Sequence, residues 1–207
     1  MTTVSTPRSV LADVALPRAT TQTQVWLRNA ALITAGVLLT ALLARVEVPL
    51  KPVPVTGQTL AVLLVGATLG MRRGAATMTA YMLAGLAGLP VFAGGSAGPA
   101  SVFTPSFGYI IGFIPAAALI GWLSERKWDR QPLLALAGFA LATLIPFLVG
   151  IPYMGVVLQS TGVPVTFPLL MQLGFTPFLL GGAIKCAIAA AILPLAWRLL
   201  GRPSETH

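Results

Sequence analysis

The chain reads as an all-α integral membrane protein of six transmembrane helices, with an extended proline-rich loop between the first and second. Three observations predict this. Of the 207 residues, 56% are hydrophobic and 9% charged, whereas roughly 25% of a soluble chain is charged. The apolar residues fall in long runs, several approaching the roughly 20 residues that cross a hydrocarbon core of about 30 Å. The basic residues keep to the tails and to alternate connections between those runs.

Residues 1–25 are rich in Thr, Ser, Arg and Pro with one acid, Asp13, and lack an apolar signal-peptide core. A transit peptide shares that composition; the reading adopted is a disordered cytoplasmic tail, followed by a six-helix membrane domain over residues 26–202. The first span is expected from Trp26 to Ala44. Ala31 and Ala35, then Thr40 and Ala44, give it a small-residue face for close helix contact, inside the protein or against a partner. From Arg45 to Thr59, Pro49, Pro52 and Pro54 forbid an ordinary helix, and β-branched residues between them favour extended backbone. This stretch is either an exposed connection or a loop lining a cavity at membrane depth. A short second span, 58–70, leads through a basic turn at Met71-Arg72-Arg73-Gly74 to a third span, 75–89, carrying Tyr81 and Gly85. The glycine-rich loop 88–99 lacks the order and the lysine of a P-loop; its glycines suit tight turns and close backbone approach. The fourth span is expected over 107–123, ended by the charged cluster 125–130, and the fifth over 132–150 with a kink at Pro146. Residues 151–168 are expected to be an uncharged loop before the last apolar run, Leu169 to Leu200.

Six spans place both termini on one side. Arg8, Arg18, Arg28, Arg72, Arg73, Arg126, Lys127, Arg130, Arg198 and Arg202 then share that side, against Arg45 and Lys51 opposite. The positive-inside bias makes it cytoplasmic and the protein a multi-pass component of the cell membrane.

Lys185 is the one charge between Leu169 and Trp197. An ammonium at membrane depth costs about 2.5–3.5 kcal/mol on insertion scales. The five acids, Asp13, Glu47, Glu125, Asp129 and Glu205, all fall in tails or polar connections, leaving room for a ligand carboxylate. Phe178, Gly181, Gly182 and Lys185 share a helix face, with glycines clearing space and Phe178 as an apolar wall. The competing reading is that Lys185 snorkels or bonds backbone carbonyls while the glycines pack helices.

Other chemistries find little support. Cys186 is the only cysteine and His207 the only histidine, so there is no disulfide and no metal-ligand cluster. Lys185 and Cys186 point about 100° apart on a helix and form no catalytic dyad. The net charge of +8 is spread over connections rather than gathered into a nucleic-acid stripe. No enzyme, cofactor or metal is expected.

Three motifs stand in register: Pro52-Val53-Pro54-Val55-Thr56-x-Gln58-Thr59-Leu60-Ala61-Val62-Leu63-Leu64-x-Gly66; Tyr81-x-x-x-Gly85-x-x-Gly88-Leu89-Pro90-Val91-Phe92-Ala93-Gly94-Gly95; and Gly108-Tyr109-x-x-Gly112-Phe113. Over about residues 30–200 the chain resembles the BioY family, the biotin-specific substrate-capture (S) components of energy-coupling factor (ECF) transporters. The resemblance implies six membrane helices, biotin bound near the outer face, and partners comprising a transmembrane coupling protein and two ATPase subunits. It assigns Ala31 and Ala35 to docking of the coupling protein. The residues themselves suit such a ligand: Lys185 is expected to pair with the biotin carboxylate, Thr56, Gln58 and Tyr109 to satisfy the ureido group, and Phe92, Phe107 and Phe178 to cover the rings, with Tyr81, Gly181 and Gly182 beside them. The family's Gly-Asp-x-x-Lys at the start of its last helix reads Gly181-Gly182-Ala183-Ile184-Lys185 here, so the aspartate position is Gly182. A self-sufficient secondary transporter is the alternative. Proton coupling would need an intramembrane Asp, Glu or His, which the spans lack.

Overall fold

The computed structural model describes residues 10–17 and 19–200. It is mostly helical: α1 Leu11–Ala15, α2 Gln22–Ala44, α3 Gln58–Leu69, α4 Met71–Leu86, α5 Phe107–Ser124, α6 Pro132–Ser160, α7 Phe167–Gly174 and α8 Phe178–Leu200. Between α2 and α3, β1 (Glu47–Val48) pairs antiparallel with β2 (Val55–Thr56), with Glu47 opposite Thr56. Short 3-10 turns lie at Ala93–Gly95, Pro99–Phe103 and Trp128–Arg130.

Four of these helices, α2, α5, α6 and α8, are long and apolar enough to cross a membrane. The 12 residues of α3 and 16 of α4 reach only about 18 and 24 Å at 1.5 Å per residue. The shortness of α3 matches its place: Ala61, Val62, Leu63, Val65, Gly66, Ala67 and Leu69 are all buried. A helix apolar on every side belongs at the centre of its bundle.

Small residues let the helices approach closely. A Cβ on Gly66 would lie 2.6 Å from the Ala117 carbonyl oxygen of α5, and one on Gly112 would lie 2.6 Å from Pro146 Cα of α6. Backbones this close gain dispersion contacts where lipid offers no hydrophobic drive for association.

The structure departs from the sequence expectations at four places. First, the stretch expected as a disordered tail contains α1, with Val10 buried and Asp13 bonded to Arg28 (3.0 Å) and Arg73 (2.7 Å). One carboxylate between two guanidiniums draws the segment against the bundle end. Arg8, Arg18, Arg202, Glu205 and His207 lie outside the described residues. Second, α2 begins at Gln22, not Trp26, because Thr21 and Gln24 form a reciprocal capping box. Third, Met71–Gly74 is the first turn of α4 rather than a loop; Gly70 alone makes the turn, at φ +85°. Fourth, α6 runs through Pro152 to Ser160, so much of the expected loop 151–168 is helix. Gly150 packs against the Tyr109 ring and Gly155 against Leu170, and that packing carries the helix past its prolines. Correspondingly, α7 stands apart and the last long helix starts at Phe178.

The polar turns gather at one end. Asp13 joins the start of α2 to the start of α4, Glu125 accepts from Met71 N at 2.9 Å, and Asp129 accepts from Trp197 Nε1 at 2.6 Å. The starts of α3, α5 and α8, with the hairpin and the loop 88–106, meet at the other end.

Candidate functional site

At that second end lies a cavity of about 310 Å³. Its lining comes from the hairpin (Pro52, Val53, Pro54, Thr56), the start of α3 (Gln58, Thr59), the α4–α5 loop (Phe92, Ala93, Ser96, Ser101), the start of α5 (Thr104 to Ser106, Tyr109, Ile110, Phe113), mid-α6 (Pro146, Phe147) and Phe178 of α8. Apolar walls with a few placed polar groups are the usual make-up of a small-molecule site.

One polar end is built around Lys185. Its ammonium donates to Thr56 O at 2.5 Å and to Thr59 Oγ1 at 3.0 Å. With three N–H groups, it keeps one uncommitted. Behind it runs an ordered chain. Thr56 Oγ1 donates to Gln58 Oε1 (2.7 Å), Gln58 Nε2 to Tyr81 Oη (2.5 Å), and Tyr81 Oη to Val91 O (2.8 Å). Because a carbonyl only accepts, Tyr81 must spend its proton on Val91. It therefore accepts from Gln58, which turns the amide nitrogen toward Tyr81 and the amide oxygen toward Thr56. Gln58 retains one free N–H.

The walls are aromatic. Tyr109 stacks on Phe178 at 5.9 Å, and Phe147 meets both edge-on. Tyr109 Oη donates to Gly174 O at 2.9 Å, tying α5 to the end of α7. On the other side Tyr81, Phe92, Phe107 and Tyr153 follow one another at 5.6, 6.4 and 6.2 Å.

The loop 88–106 is pinned over the cavity. Arg45 donates to Pro90 O at 2.6 Å, Gly98 N to Gly85 O at 2.7 Å, and the Tyr153 hydroxyl to Val102 O. Gly94 and Gly98 turn at φ +63° and +87°, which L side chains rarely adopt.

Of the site residues expected from sequence, Thr56, Gln58, Phe92, Tyr109 and Phe178 line the cavity. Tyr81 and Phe107 are buried one layer behind it. Lys185 reaches its edge through Thr56 and Thr59. Gly181 faces the hairpin, where a Cβ would meet Val55 at 3.5 Å. Gly182 faces Thr143 of α6 and borders a lateral groove between α6 and α8 instead of the cavity. Thr59, Ser101, Phe113 and Phe147 are further lining residues. Thr59 stands inside a quoted motif and Phe147 follows the expected kink; nothing in the sequence marks Ser101. On α2, Thr40 and Ala44 are buried while Ala31 and Ala35 are exposed, so the small-residue face divides into an inner and an outer part.

Residues 15–202 match the sequence profile described as the BioY family. A protein named biotin transporter BioY2, from Lactococcus lactis subsp. cremoris (strain MG1363), is 35% identical over 168 residues, covering 80% of this chain and 87% of that protein. Another, named biotin transporter BioY, from Thermotoga maritima, is 35% identical over 166 residues, covering 78% and 92%. The crystal structure of an S-component for biotin from an ECF-type ABC transporter superimposes with a TM-score of 0.62 at 23% identity, over 89% of this chain and 96% of that one. At that identity the likeness speaks for the fold. The profile spans nearly the whole chain, and on that ground the protein belongs to the BioY family.

Proposed function

We propose that this chain captures biotin and carries it across the cell membrane as the S component of an ATP-driven ECF transporter. The observation that carries the reading is the donor-rich end of the cavity. Gln58 and Thr59 line it, Lys185 stands at its edge bonded to Thr56 and Thr59, and their spare N–H and O–H groups suit a carboxylate, an acceptor-only group. The walls of Phe92, Tyr109, Phe147 and Phe178 suit the fused rings and aliphatic arm of the vitamin. Relatives at 35% identity are named biotin transporters. The chemistry is binding and transport, not catalysis.

The full reading has six crossings, with α3 and α4 as short inner spans, both termini cytoplasmic, and the cavity at the outer face. No cofactor is required. ATP hydrolysis comes from two ATPase subunits through a coupling protein that docks on the outer part of the α2 small-residue face, Ala31 and Ala35.

Titration of the purified protein with labelled biotin tests this: saturable one-to-one binding is expected, and no binding overturns it. A secondary transporter is less well supported, since Asp13, Glu125 and Asp129 cluster at the end remote from the cavity and Glu47 sits in the hairpin. Biotin uptake by the chain in proteoliposomes without ATPase subunits would decide for it.

A further inference from the structure

Accounting for protons around the cavity singles out one residue that the motifs do not mark. Tyr109 gives its proton to Gly174 O (2.9 Å), Thr104 to Ser101 O (2.6 Å), Ser96 to Ala93 O (2.9 Å) and Thr56 to Gln58 Oε1 (2.7 Å). Ser106 lies 3.2 Å from Thr104 Oγ1; with the Thr104 proton already spent, Ser106 is the donor of that pair. Two lining hydroxyls keep a proton with no acceptor among the described residues: Thr59, beside Lys185, and Ser101.

Ser101 is the informative one. It is 7% exposed, lines the cavity, and its hydroxyl has no hydrogen-bond partner among the described residues. With no acceptor among the described residues, the hydroxyl proton is left for an acceptor on a ligand in the cavity. Its backbone is firmly held: Ser101 O accepts from Thr104 Oγ1, Ser101 N donates to Gly98 O at 3.1 Å, and the Tyr153 hydroxyl holds the next carbonyl, Val102 O. Between the Gln58 end of the cavity and this shelf the wall is Phe92, backed by the file of Tyr81, Phe107 and Tyr153 rings. Donors at one end, an apolar run, then a lone donor hydroxyl is the pattern of a molecule with a carboxylate, an aliphatic arm and a distant carbonyl.

We infer that Ser101 is a ligand-contacting residue whose hydroxyl donates to the ureido oxygen of bound biotin, with the carboxylate held at Lys185, Thr59 and Gln58. This rests on the biotin reading and fixes the polarity of the ligand within it. It also moves Thr56 and Gln58 from the ureido end, where their sequence positions suggested them, to the carboxylate end. Both are in one hydrogen-bonded cluster with the peptide that Lys185 grips.

The test is titration of full-length wild type, Ser101→Ala and Lys185→Met with biotin, biotin amide and 2-thiobiotin, whose sulfur is a weak acceptor. Ser101→Ala should weaken biotin about 3- to 10-fold. It should weaken biotin amide by the same factor and 2-thiobiotin hardly at all, because that analogue has already lost the bond. Lys185→Met should show the converse pairing, coupled to the amide and additive with the thio change. Ser101→Ala losing the same factor for biotin and 2-thiobiotin overturns the Ser101 assignment and leaves the biotin reading standing. Coupling of Ser101 to the amide would reverse the ligand and overturn the proposed polarity. Wild type that binds no biotin at all overturns the biotin reading, and this assignment with it.

Discussion

Lys185 shows how a charge survives at membrane depth without a carboxylate of its own. The sequence excluded an acidic partner but left open whether the ammonium met ligand or backbone. In the folded chain it grips the Thr56 carbonyl and the Thr59 hydroxyl and retains one donor. The backbone reading is met, and the bonds that hold the ammonium leave the remaining N–H for the proposed ligand contact. A charge-assisted hydrogen bond contributes about 1.5–3 kcal/mol, which converts to roughly 10- to 150-fold in affinity. Lys185→Met should cost biotin that much and cost biotin amide far less, measured by calorimetric titration; equal losses would return Lys185 to a purely structural role. Asp129 offers the opposite case, a buried acid away from the cavity. Burial pushes its carboxyl up to about 6, against the opposing effects of the Trp197 hydrogen bond and the Arg130 charge. Since the folded value lies above the ordinary 3.8, the folded state binds this proton more readily. Stability is then greatest in acid and falls as pH rises through about 4 to 6. Asp129→Asn can still accept from Trp197 and should flatten that part of the pH dependence of the thermal midpoint. An unchanged profile would show that Asp129 does not carry it.

At the scale of elements, hydropathy and proline spacing located the helix cores, and what they missed follows from tertiary contacts. No periodicity marks α1, because its anchor is Asp13 meeting Arg28 and Arg73 from two other helices. The extension of α6 through Pro152 depends on Gly150 meeting Tyr109 and Gly155 meeting Leu170. The α2 start was legible in principle, since Thr21-x-x-Gln24 is a capping-box signature. Close backbone approach dominates the inner helices and makes a sharp prediction. A Cβ on Gly121 would sit 2.4 Å from the Gly70 carbonyl carbon and Met71 N, backbone that cannot swing aside. Gly121→Ala should destabilise the detergent-solubilised protein by about 1–3 kcal/mol, read as a lowered thermal midpoint, whereas Gly182→Ala, with Thr143 at 3.7 Å, should be near neutral. The outer face of α2 separates packing from docking. Ala31→Trp or Ala35→Trp points into open space, so biotin binding should persist while co-purification of the coupling protein and ATP-dependent uptake fall. Loss of binding together with coupling would make that face internal.

The whole molecule is polarised along its axis, and this explains which parts of the site could be read from sequence. Thr56, Gln58 and Tyr109 were legible because each stands in a motif at or just before a helix start, and Phe178 because it shares a helix face with Lys185; those starts meet at one end. Ser101 was not, nor was the placing of Tyr81 and Phe107 one layer behind the cavity, because loop curvature and ring stacking, not spacing, decide which side chain reaches it. The same axis carries the topology. At the end remote from the cavity, Arg28 and Arg73 share Asp13 and Arg126 stacks on Trp122 at 3.5 Å; Arg72 and Lys127 lie in the same turns. At the cavity end the corresponding basic residues are Arg45 and Lys51. Short loops with excess Lys and Arg stay cytoplasmic, and this bias supports the proposed topology with the cavity at the outer face. Ser96 and Arg126 are exposed at opposite ends of the bundle. In a Cys186→Ala background, Ser96→Cys in intact cells should react with a membrane-impermeant maleimide and be protected by biotin, since residue 96 borders the cavity. Arg126→Cys should react only after permeabilisation and without biotin protection. Reaction of both from outside would overturn the six-crossing arrangement, and reaction of Arg126→Cys alone would invert it.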